Sequence, residues 1–383
     1  MAKNALILSG GGARAAYQVG VLLAVSELLP HLKNPFQIIS GTSAGAINAV
    51  ALAAHLGTFH RAAHELAHVW KQIEFEHVIN TGWLDLFKGT LRVVSSLFTD
   101  GYHDNVPLAL LDNSPLRNLL LSIVDFENIQ QRIDEGQLHA LCVTALGYHS
   151  GESVSFFQGH PSLRGWRRYR RVGAPMPITV DHIMASSAIP LIFPSVHVSK
   201  EYFGDGAMRQ TAPISCALHT GAERLLIIGV SENLAAGPWG QAGKCVSVEH
   251  KPSVAQILGQ VFNSAFIDSI EGDIERLERI NNLVNLIPGK KMRETDNLRK
   301  IDSLIISPST RIDAIASRRI QSLPKSLKFF LGCSGASVKG GGVAAASYLL
   351  FTHAFCDELI DLGYTDALNK KDDIERFFAQ EAN

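Results

Sequence analysis

Residues 36–45 read Phe-Gln-Ile-Ile-Ser-Gly-Thr-Ser-Ala-Gly, and this stretch decides the fold. Its first half, Phe36 to Ser40, is a short apolar run that predicts a buried β-strand. Its second half, Gly41 to Gly45, is a G-x-S-x-G turn, and the alanine-rich segment to about Leu56 predicts a helix after it. A serine at a sharp strand-to-helix turn projects its hydroxyl outward, beside the free N–H groups of the helix N-terminus. Ser43 is therefore a candidate nucleophile.

A similar unit precedes this one. Asn4 to Ser9 predicts a buried strand, three glycines follow it, and Ala15 to Leu29 predicts a helix. Strand, helix, strand and helix joined by short glycine turns indicate a parallel sheet that is covered on both faces. Successive glycines also let backbone N–H groups approach a ligand oxygen, so Gly10, Gly11 and Gly12 suit an oxyanion hole.

The same loop satisfies the dinucleotide-binding pattern, as Gly10-x-Gly12-x-x-Ala15. A dinucleotide site expects an acidic residue about 20 positions later, at the end of the second strand, to hold the ribose. No residue from 28 to 47 is acidic. The sequence therefore excludes a dinucleotide site here.

A candidate base lies far along the chain, at Asp205 between two glycines. Such an aspartate is by itself most often a turn residue. Upstream of it, Ala185 to Pro190 reads Ala-Ser-Ser-Ala-Ile-Pro, and Ile189 to Pro194 is apolar enough to line an acyl pocket. A carboxylate near pKa 4 is a poor base in water, so Asp205 must lie close to Ser43 in a desolvated site.

These four blocks, in this order, resemble the patatin-like phospholipase family of bacterial type over roughly residues 4–215. The resemblance implies a three-layer α/β/α sandwich with a mostly parallel central sheet. It also implies a catalytic pair without histidine, in which Ser43 is the nucleophile and Asp205 its base. The residues implied around that pair are the oxyanion-hole residues Gly10, Gly11, Gly12 and Arg14 and the motif-supporting glycines Gly41, Gly45 and Gly206. Ala15 and Ala207 stand where many members have glycine, and both are small enough for the turns.

The residues alone predict a serine esterase, and the resemblance implies a lipid acyl hydrolase of phospholipase A or lysophospholipase type. Its substrate would be a phospholipid or another acyl lipid, with no cofactor and no metal. One alternative is a catalytically silent module that binds lipid or protein. A lesser alternative is a Ser-His-Asp esterase, because His219, His250 and His353 follow Asp205.

Two domains are predicted. Residues 4–215 form the catalytic domain, and 216–383 form a largely helical extension that completes the sheet and acts as a lid or an interaction region. Within the extension the pattern predicts a long or broken helix over 253–287, a strand over 301–306 and helices over 344–362 and 372–379.

Composition excludes several classes of protein. The 383 residues are 46% hydrophobic and 19% charged, which excludes global disorder. A net charge of −1 provides no overall attraction for nucleic acid. Neither a signal peptide nor a spanning helix is visible in the pattern, so we expect a cytoplasmic protein with peripheral membrane contact. Five scattered cysteines predict reduced, mostly buried thiols.

Two further motifs invite a functional interpretation. His64-Glu65-Leu66-Ala67-His68 fits the H-E-x-x-H zinc pattern, but the helical period places these histidines opposite the apolar stripe, which favours a solvated face. The segment 164–171 combines arginines with two aromatic residues, and a solvated loop is its default interpretation. Its functional interpretation is a lipid-interface patch formed by Arg164, Trp166, Arg167, Arg168, Tyr169, Arg170 and Arg171.

Overall fold

A computed structural model describes residues 3–80, 82, 91, 109–210, 213–231, 268–286, 299–325 and 342–379. Within these ranges ten strands form one mixed sheet. The strands are β1 (Asn4–Leu8), β2 (Ile38–Thr42), β3 (Ala140–Gly147), β4 (Ser153–Gly159), β5 (Trp166–Arg168), β6 (Arg171–Pro175), β7 (Val196–Val198), β8 (Glu201–Asp205), β9 (Arg224–Ile228) and β10 (Asp302–Ile306).

The helices of the described ranges cover this sheet. They are α1 (Ala16–Leu28), α2 (Ala44–Ala54), α3 (Phe59–Lys71), α4 (Phe75–Val78), α5 (Ser114–Ile123), α6 (Glu127–Asp134), α7 (Val180–Ser186), α8 (Ser215–His219), α9 (Asp268–Asn285), α10 (Ile312–Arg319), α11 (Gly342–Leu349), α12 (His353–Asn369) and α13 (Lys371–Ala379). None of them is both long and apolar enough to cross a membrane.

The main run of the sheet follows the order β10-β9-β1-β2-β3-β4-β6-β5, and its first five strands are parallel. Every residue of β1, β2 and β9 is buried, as expected when helices cover both faces of a parallel sheet. Alternate side chains of β1 divide between the two faces. Leu6 and Leu8 join a core with α1, α2 and α12, whereas Ala5 and Ile7 join a second core with α8 and α9. The predicted α/β/α sandwich is therefore confirmed.

Several sequence-predicted boundaries change in the structure. The helix predicted over 344–362 is two helices, because α11 ends at Leu349 and α12 begins at His353, after the extended residue Thr352. The helix predicted over 253–287 is described from Asp268 onward, and its earlier part lies outside the described residues. The sequence did not predict strands β5 to β8, which are short and mix exposed or half-buried residues with a few buried ones instead of forming an apolar run.

The expectation of reduced thiols is wrong for one pair of cysteines. Cys142 on β3 and Cys216 on α8 form a disulfide, with their Cα atoms 6.6 Å apart. They are separated by 74 positions in the chain, and such a pairing cannot be deduced from spacing. Cys356 is a free, buried thiol, and its burial raises its pKa. Cys245 and Cys333 lie outside the described residues.

Strands from both predicted segments meet within the sheet. β9 pairs with β1 along its whole length, and β10 pairs with β9. β1 therefore has a neighbour from beyond residue 215 on one side and β2 on the other. The division into domains at residue 215 stays a prediction.

Candidate active site

The register of the sheet brings Ser43 and Asp205 together on one side of β3. β2 pairs with β3 as far as Thr42, which lies opposite Thr144. β8 then pairs with β3 where β2 has ended, and its last residue, Asp205, lies opposite Ala145. Since Ser43 directly follows Thr42, the two candidate residues meet at the junction of β2 and β8.

Ser43 has a backbone conformation that few non-glycine residues adopt. Its φ of 54° and ψ of −130° place it at the sharp turn between β2 and α2. A Cβ atom on Gly45 would lie 2.4 Å from the carbonyl oxygens of Leu8 and Ser9, so only glycine permits this close crossing. The serine is thus held where β2, α2 and the end of β1 converge.

A second serine secures the turn. The backbone N–H of Ser43 donates to Oγ of Ser186 over 2.8 Å, and the Ser186 hydroxyl donates to the carbonyl of Thr144 over 2.6 Å. Two positions after Ser186, the carbonyl of Ala188 accepts a hydrogen bond from the backbone N–H of Asp205 over 2.8 Å. One short segment therefore positions the backbones of both candidate residues. In the sequence this segment is marked only by its apolar end, and no pattern points to Ser186.

The two side chains are in direct contact. Oγ of Ser43 donates to Oδ2 of Asp205 over 2.6 Å, and the N–H of Ala207 donates to the other carboxylate oxygen over 2.9 Å. Asp205 is fully buried, and Ser43 is only 2% exposed. Burial raises the pKa of Asp205 to about 7, against the opposing effect of the two hydrogen bonds. This carboxylate therefore exchanges a proton near neutral pH, which a solvated aspartate does not.

The glycine loop lies against this pair. A Cβ atom on Gly10 would be 3.1 Å from the Cβ of Ser43 and 3.3 Å from that of Ala207, so any larger residue would crowd the nucleophile. Gly12 has a φ of +55°, and a Cβ atom there would be 2.1 Å from the carbonyl oxygen of Tyr348. The loop is therefore confined between the candidate dyad and helix α11.

A buried polar network, for which the sequence carries no pattern, supports the start of the glycine loop. Nε2 of Gln18 donates to the carbonyl of Ser9 over 2.9 Å, just before the three glycines. Asn48 donates to Gln18 over 3.0 Å and to the carbonyl of Ala15 over 3.2 Å, and it accepts from the indole N–H of Trp70 over 2.8 Å. Trp70 lies on the buried, apolar side of α3, and an apolar stripe in a sequence does not indicate such a bond.

Arg14 contacts the C-terminal helices. Its guanidinium lies 2.6 Å from Asp313, donates to Oγ of Ser347 over 2.7 Å and lies over the ring of Tyr348. Its backbone N–H donates to the carbonyl of Gly11 over 3.1 Å. The guanidinium of Arg14 thus ties the glycine loop to α10 and α11, while its backbone N–H bonds within the loop.

Two of the three histidines named for a Ser-His-Asp arrangement, His219 and His353, are described, and neither is recorded in contact with Ser43 or Asp205. Among the described residues, Ser43 bonds to Asp205 without an intervening imidazole. The ring of His219 stacks on Trp166, and its Nδ1 lies 2.8 Å from the carbonyl of Ser215. His353 is exposed at the start of α12, and His250 lies outside the described residues.

The H-E-x-x-H motif lies on α3 with its polar side chains outward. His64 and His68 are exposed, while Leu66 and Trp70 are buried. Glu65 accepts from Arg61 and lies 3.1 Å from Nε2 of His55. In the part of the chain that the structure describes, no three metal-ligating side chains converge.

The arginine-rich segment is a β-hairpin and not a loop. β5 and β6 are antiparallel, and Tyr169 with Arg170 forms the turn between them. Trp166, predicted to reach a lipid headgroup layer, instead stacks on Phe157 and His219, with ring centroids 5.0 and 4.7 Å apart. This aromatic stack anchors the hairpin to the protein.

Comparisons with known proteins match this chain to one family. A model of the patatin-like phospholipase family matches residues 6–218. The cGAMP-activated phospholipase of Pseudomonas aeruginosa is 26% identical over 219 residues, which are 56% of this chain and 56% of that protein. The chain thus spans about half the length of this curated relative.

Two solved structures are also similar. Human GIVD cytosolic phospholipase A2 in complex with methyl gamma-linolenyl fluorophosphonate has a TM-score of 0.47 and 12% identity, and the match covers 99% of this chain and 59% of that one. VipD from Legionella pneumophila has a TM-score of 0.33 and 13% identity, over 94% of this chain and 67% of that one.

Proposed function

Because the chain belongs to the patatin-like phospholipase family, as its motifs predicted, we propose that it is a lipid acyl hydrolase that works through a Ser43–Asp205 dyad. The observation that supports this most directly is the 2.6 Å hydrogen bond between the two side chains at a strained turn. The raised pKa of Asp205, about 7, adds that its carboxylate can gain and lose a proton near neutral pH.

The first half-reaction forms an acyl-enzyme. Oγ of Ser43 attacks the ester carbonyl carbon while its proton passes to Oδ2 of Asp205. The carbonyl oxygen becomes an oxyanion, for which the backbone N–H groups of Gly10, Gly11 and Gly12 are the proposed donors. The ester C–O bond then breaks, and Asp205 returns its proton to the departing alcohol.

The second half-reaction releases the fatty acid. A water molecule attacks the acyl carbon, and its proton passes to Asp205. The bond from the acyl carbon to Oγ breaks, Ser43 recovers the proton, and the carboxylic acid leaves. Asp205 thus acts as base and then acid in each half-reaction, so no second titrating side chain is needed. We assign Arg14 no step, since its contacts with Gly11, Asp313 and Ser347 support a role in positioning the glycine loop.

A fluorophosphonate probe tests the nucleophile and separates this proposal from a silent binding module. The wild-type chain should be labelled, and Ser43→Ala should not. A matched control is Ser40→Ala, which removes a hydroxyl from the same strand three positions earlier. A folded wild-type chain that the probe leaves unlabelled would favour the binding module.

The base is tested by Asp205→Asn, which keeps the shape and removes the proton acceptor. We expect turnover of a soluble ester to fall by about a thousandfold, within the usual range for losing a catalytic base or triad member. The circular dichroism spectrum should be unchanged. Full activity in this variant would contradict the dyad.

The substrate class needs a separate measurement. Purified wild-type protein should release free fatty acid from phospholipid vesicles, and Ser43→Ala should release none. If the protein hydrolyses short soluble esters but releases no fatty acid from phospholipids, lysophospholipids or glycerides, it is a serine esterase and not a lipid hydrolase.

A further inference from the structure

The tip of the β5–β6 hairpin lies at the same end of the sheet as Ser43. Thr42 of β2 lies opposite Thr144 of β3. Thr144 lies opposite Ser155 of β4, and Ser155 lies opposite Gly173 of β6. Two residues further along β3, Leu146 lies opposite Ser153 of β4. Ser153 lies opposite Arg171 of β6, which in turn lies opposite Arg168 of β5. The hairpin turn is therefore slightly beyond Ser43 in the direction in which β2 runs. With neighbouring strands about 4.8 Å apart, it lies roughly 15–20 Å from Ser43 along this edge.

The tip is exposed and positively charged. Tyr169 is 83% exposed, and the guanidinium of Arg170 lies 5.2 Å from its ring centroid. Arg168 and Arg170 have no ion-pair partner among the described residues, whereas Arg167 is paired with Glu152 at 2.5 Å. Arg164 precedes β5 at the opposite end of the hairpin and does not share this edge.

Exposed tyrosines continue this surface toward the dyad. Tyr148 directly follows β3 and is 46% exposed, and Tyr202, whose carbonyl accepts from the N–H of Tyr148, is 47% exposed. Burial and the charge of Asp205 both raise the pKa of Tyr148, so this side chain lies within electrostatic range of the candidate base. We call the set Tyr148, Tyr202, Arg167, Arg168, Tyr169 and Arg170 the edge surface.

Two described acidic side chains at this end, Glu201 and Glu152, already have partners. Glu201 accepts from the backbone N–H groups of His149 and Ser150 and from the Ser150 hydroxyl, and Glu152 is paired with Arg167. The chain has a net charge of −1, so the unpaired arginines of the tip are a local feature and not part of an overall positive field.

From this arrangement we infer that the edge surface docks on an anionic phospholipid bilayer. Arginine forms strong charge-assisted bonds with phosphate oxygens, and tyrosine is favoured at headgroup level, where one end of its ring is wet and the other apolar. Docking at this edge turns the carboxyl end of β2, and Ser43 with it, toward the lipid. The inference rests on the proposed function, since it supplies the membrane from which an acyl lipid would enter.

Vesicle cosedimentation tests this inference in the full chain carrying Ser43→Ala, so that no lipid is consumed. Phosphatidylcholine vesicles are compared with and without phosphatidylglycerol, at low and high salt. The test variant is Arg168→Gln with Arg170→Gln. The matched control is Arg279→Gln with Arg376→Gln, two exposed arginines on α9 and α13 that remove the same charge.

We expect the unaltered tip to bind the anionic vesicles at low salt. The test pair should bind about 30-fold more weakly, because each basic residue near an anionic surface contributes a factor of about five. The control pair should bind as the parent does. Tyr169→Ser should weaken binding at both salt concentrations, since its contribution is not one of charge.

Three outcomes would overturn the inference. In the first, the test and control pairs bind vesicles equally well. In the second, the protein binds equally to vesicles with and without phosphatidylglycerol. In the third, the protein binds an oligonucleotide but no vesicles, which would assign the arginines to a different polyanion.

Turnover of a soluble ester by the test pair with Ser43 intact distinguishes the two proposals. If this turnover equals that of wild type, a loss of vesicle binding concerns the surface alone. If the wild-type chain hydrolyses no ester yet the arginine-dependent binding remains, the proposed function fails and the surface stands.

Discussion

At the scale of single residues, the proposed role of Asp205 as a base predicts that both activity and stability depend on pH. Its pKa of about 7 is set mainly by burial, and the base must be ionised to accept the proton of Ser43. We therefore expect kcat/KM for a soluble ester to rise with pH through about 7 and then level off. The measurement is a pH-rate profile with a neutral ester. A rate that stays constant across the neutral range would contradict the role of this carboxylate.

The buried carboxylate of Asp205 should also lower the free energy of unfolding when it is ionised. Its pKa is 3.8 as a free side chain and about 7 in the fold, so between these values the native state binds more protons than the unfolded state. Stability from this group is present at low pH and is lost as the pH rises from about 4 to 7. Asp205→Asn removes the buried charge and should stabilise the chain above pH 7 by roughly 1–3 kcal/mol.

Thermal unfolding measured below pH 4 and above pH 7 checks this expectation. The advantage of Asp205→Asn should appear only at the higher pH. Asp361→Asn, which removes an exposed carboxylate from α12, is the matched control and should show no such advantage. A variant that is less stable than wild type above pH 7 would show that the carboxylate is better solvated than its burial indicates.

Ser186 and its neighbour offer a paired test of positioning. Ser186→Ala removes both the acceptor for the N–H of Ser43 and the donor to Thr144. The hydroxyl of Ser187 is buried without a hydrogen-bond partner among the described residues. We expect Ser186→Ala to lower kcat by about tenfold or more and stability by about 1–2 kcal/mol.

Ser187→Ala should leave both quantities unchanged or raise stability slightly, because it removes an unsatisfied polar group. Steady-state kinetics and denaturant unfolding measure both variants. Equal effects of the two substitutions would mean that the segment responds to any loss of volume, and the specific role assigned to Ser186 would be wrong.

At the scale of elements, two glycines set how closely α1 and α12 pack. A Cβ atom on Gly20 would lie 1.9 Å from the carbonyl oxygen of Ile360, and one on Gly363 would lie 2.1 Å from that of Tyr17. Because these obstacles are backbone atoms, they cannot rotate away. Gly20→Ala should therefore destabilise the chain by about 3 kcal/mol, measured by denaturant unfolding.

Gly272→Ala on α9 is the control for this substitution. That helical glycine is exposed, and a Cβ atom added to it would meet no neighbouring side chain or element within 4 Å in the described part of the chain. Alanine there should stabilise the chain by up to about 1 kcal/mol through helix propensity alone. If both variants were equally stable, the two helices would have to be further apart than the structure places them.

At the scale of the whole molecule, the C-terminal segment completes both the sheet and the surroundings of the site. β1 pairs with β9 along its full length, α1 packs on α12, and Arg14 reaches Asp313. A chain ending at residue 218, where the family match ends, would leave β1 as an open edge with an apolar face uncovered. We expect it to aggregate or to lack cooperative unfolding.

Circular dichroism and thermal unfolding of this truncated chain, beside the full chain, measure the effect. Asp313→Asn tests the contribution of the C-terminal segment with a single substitution. It removes the charge that pairs with the guanidinium of Arg14, which is only 3% exposed. It should lower stability by about 1–3 kcal/mol. A truncated chain that folds cooperatively and is labelled by a fluorophosphonate would show that residues 4–215 form an independent catalytic domain.

Local patterns carry most of what the sequence predicted. The apolar runs before the two glycine turns became β1 and β2, because a buried parallel strand must be apolar on both faces. The run predicted over 301–306 became β10. The short strands β5 to β8 escaped prediction, because partly exposed strands have no such signal. Ser43, Asp205 and the glycine loop were recognisable because each needs a particular small or reactive residue at a turn.

By itself, then, the sequence determined the class of fold, the family, and which side chains are chemically suited to the site. The tertiary structure alone decided which distant groups meet. β8 continues the pairing of β3 where β2 stops and so brings Asp205 to Ser43, α8 brings Cys216 to Cys142, and α10 brings Asp313 to Arg14. The physical reason is that turn chemistry and hydrophobic period act over a few neighbouring residues, whereas strand register and helix packing are set by all the elements together.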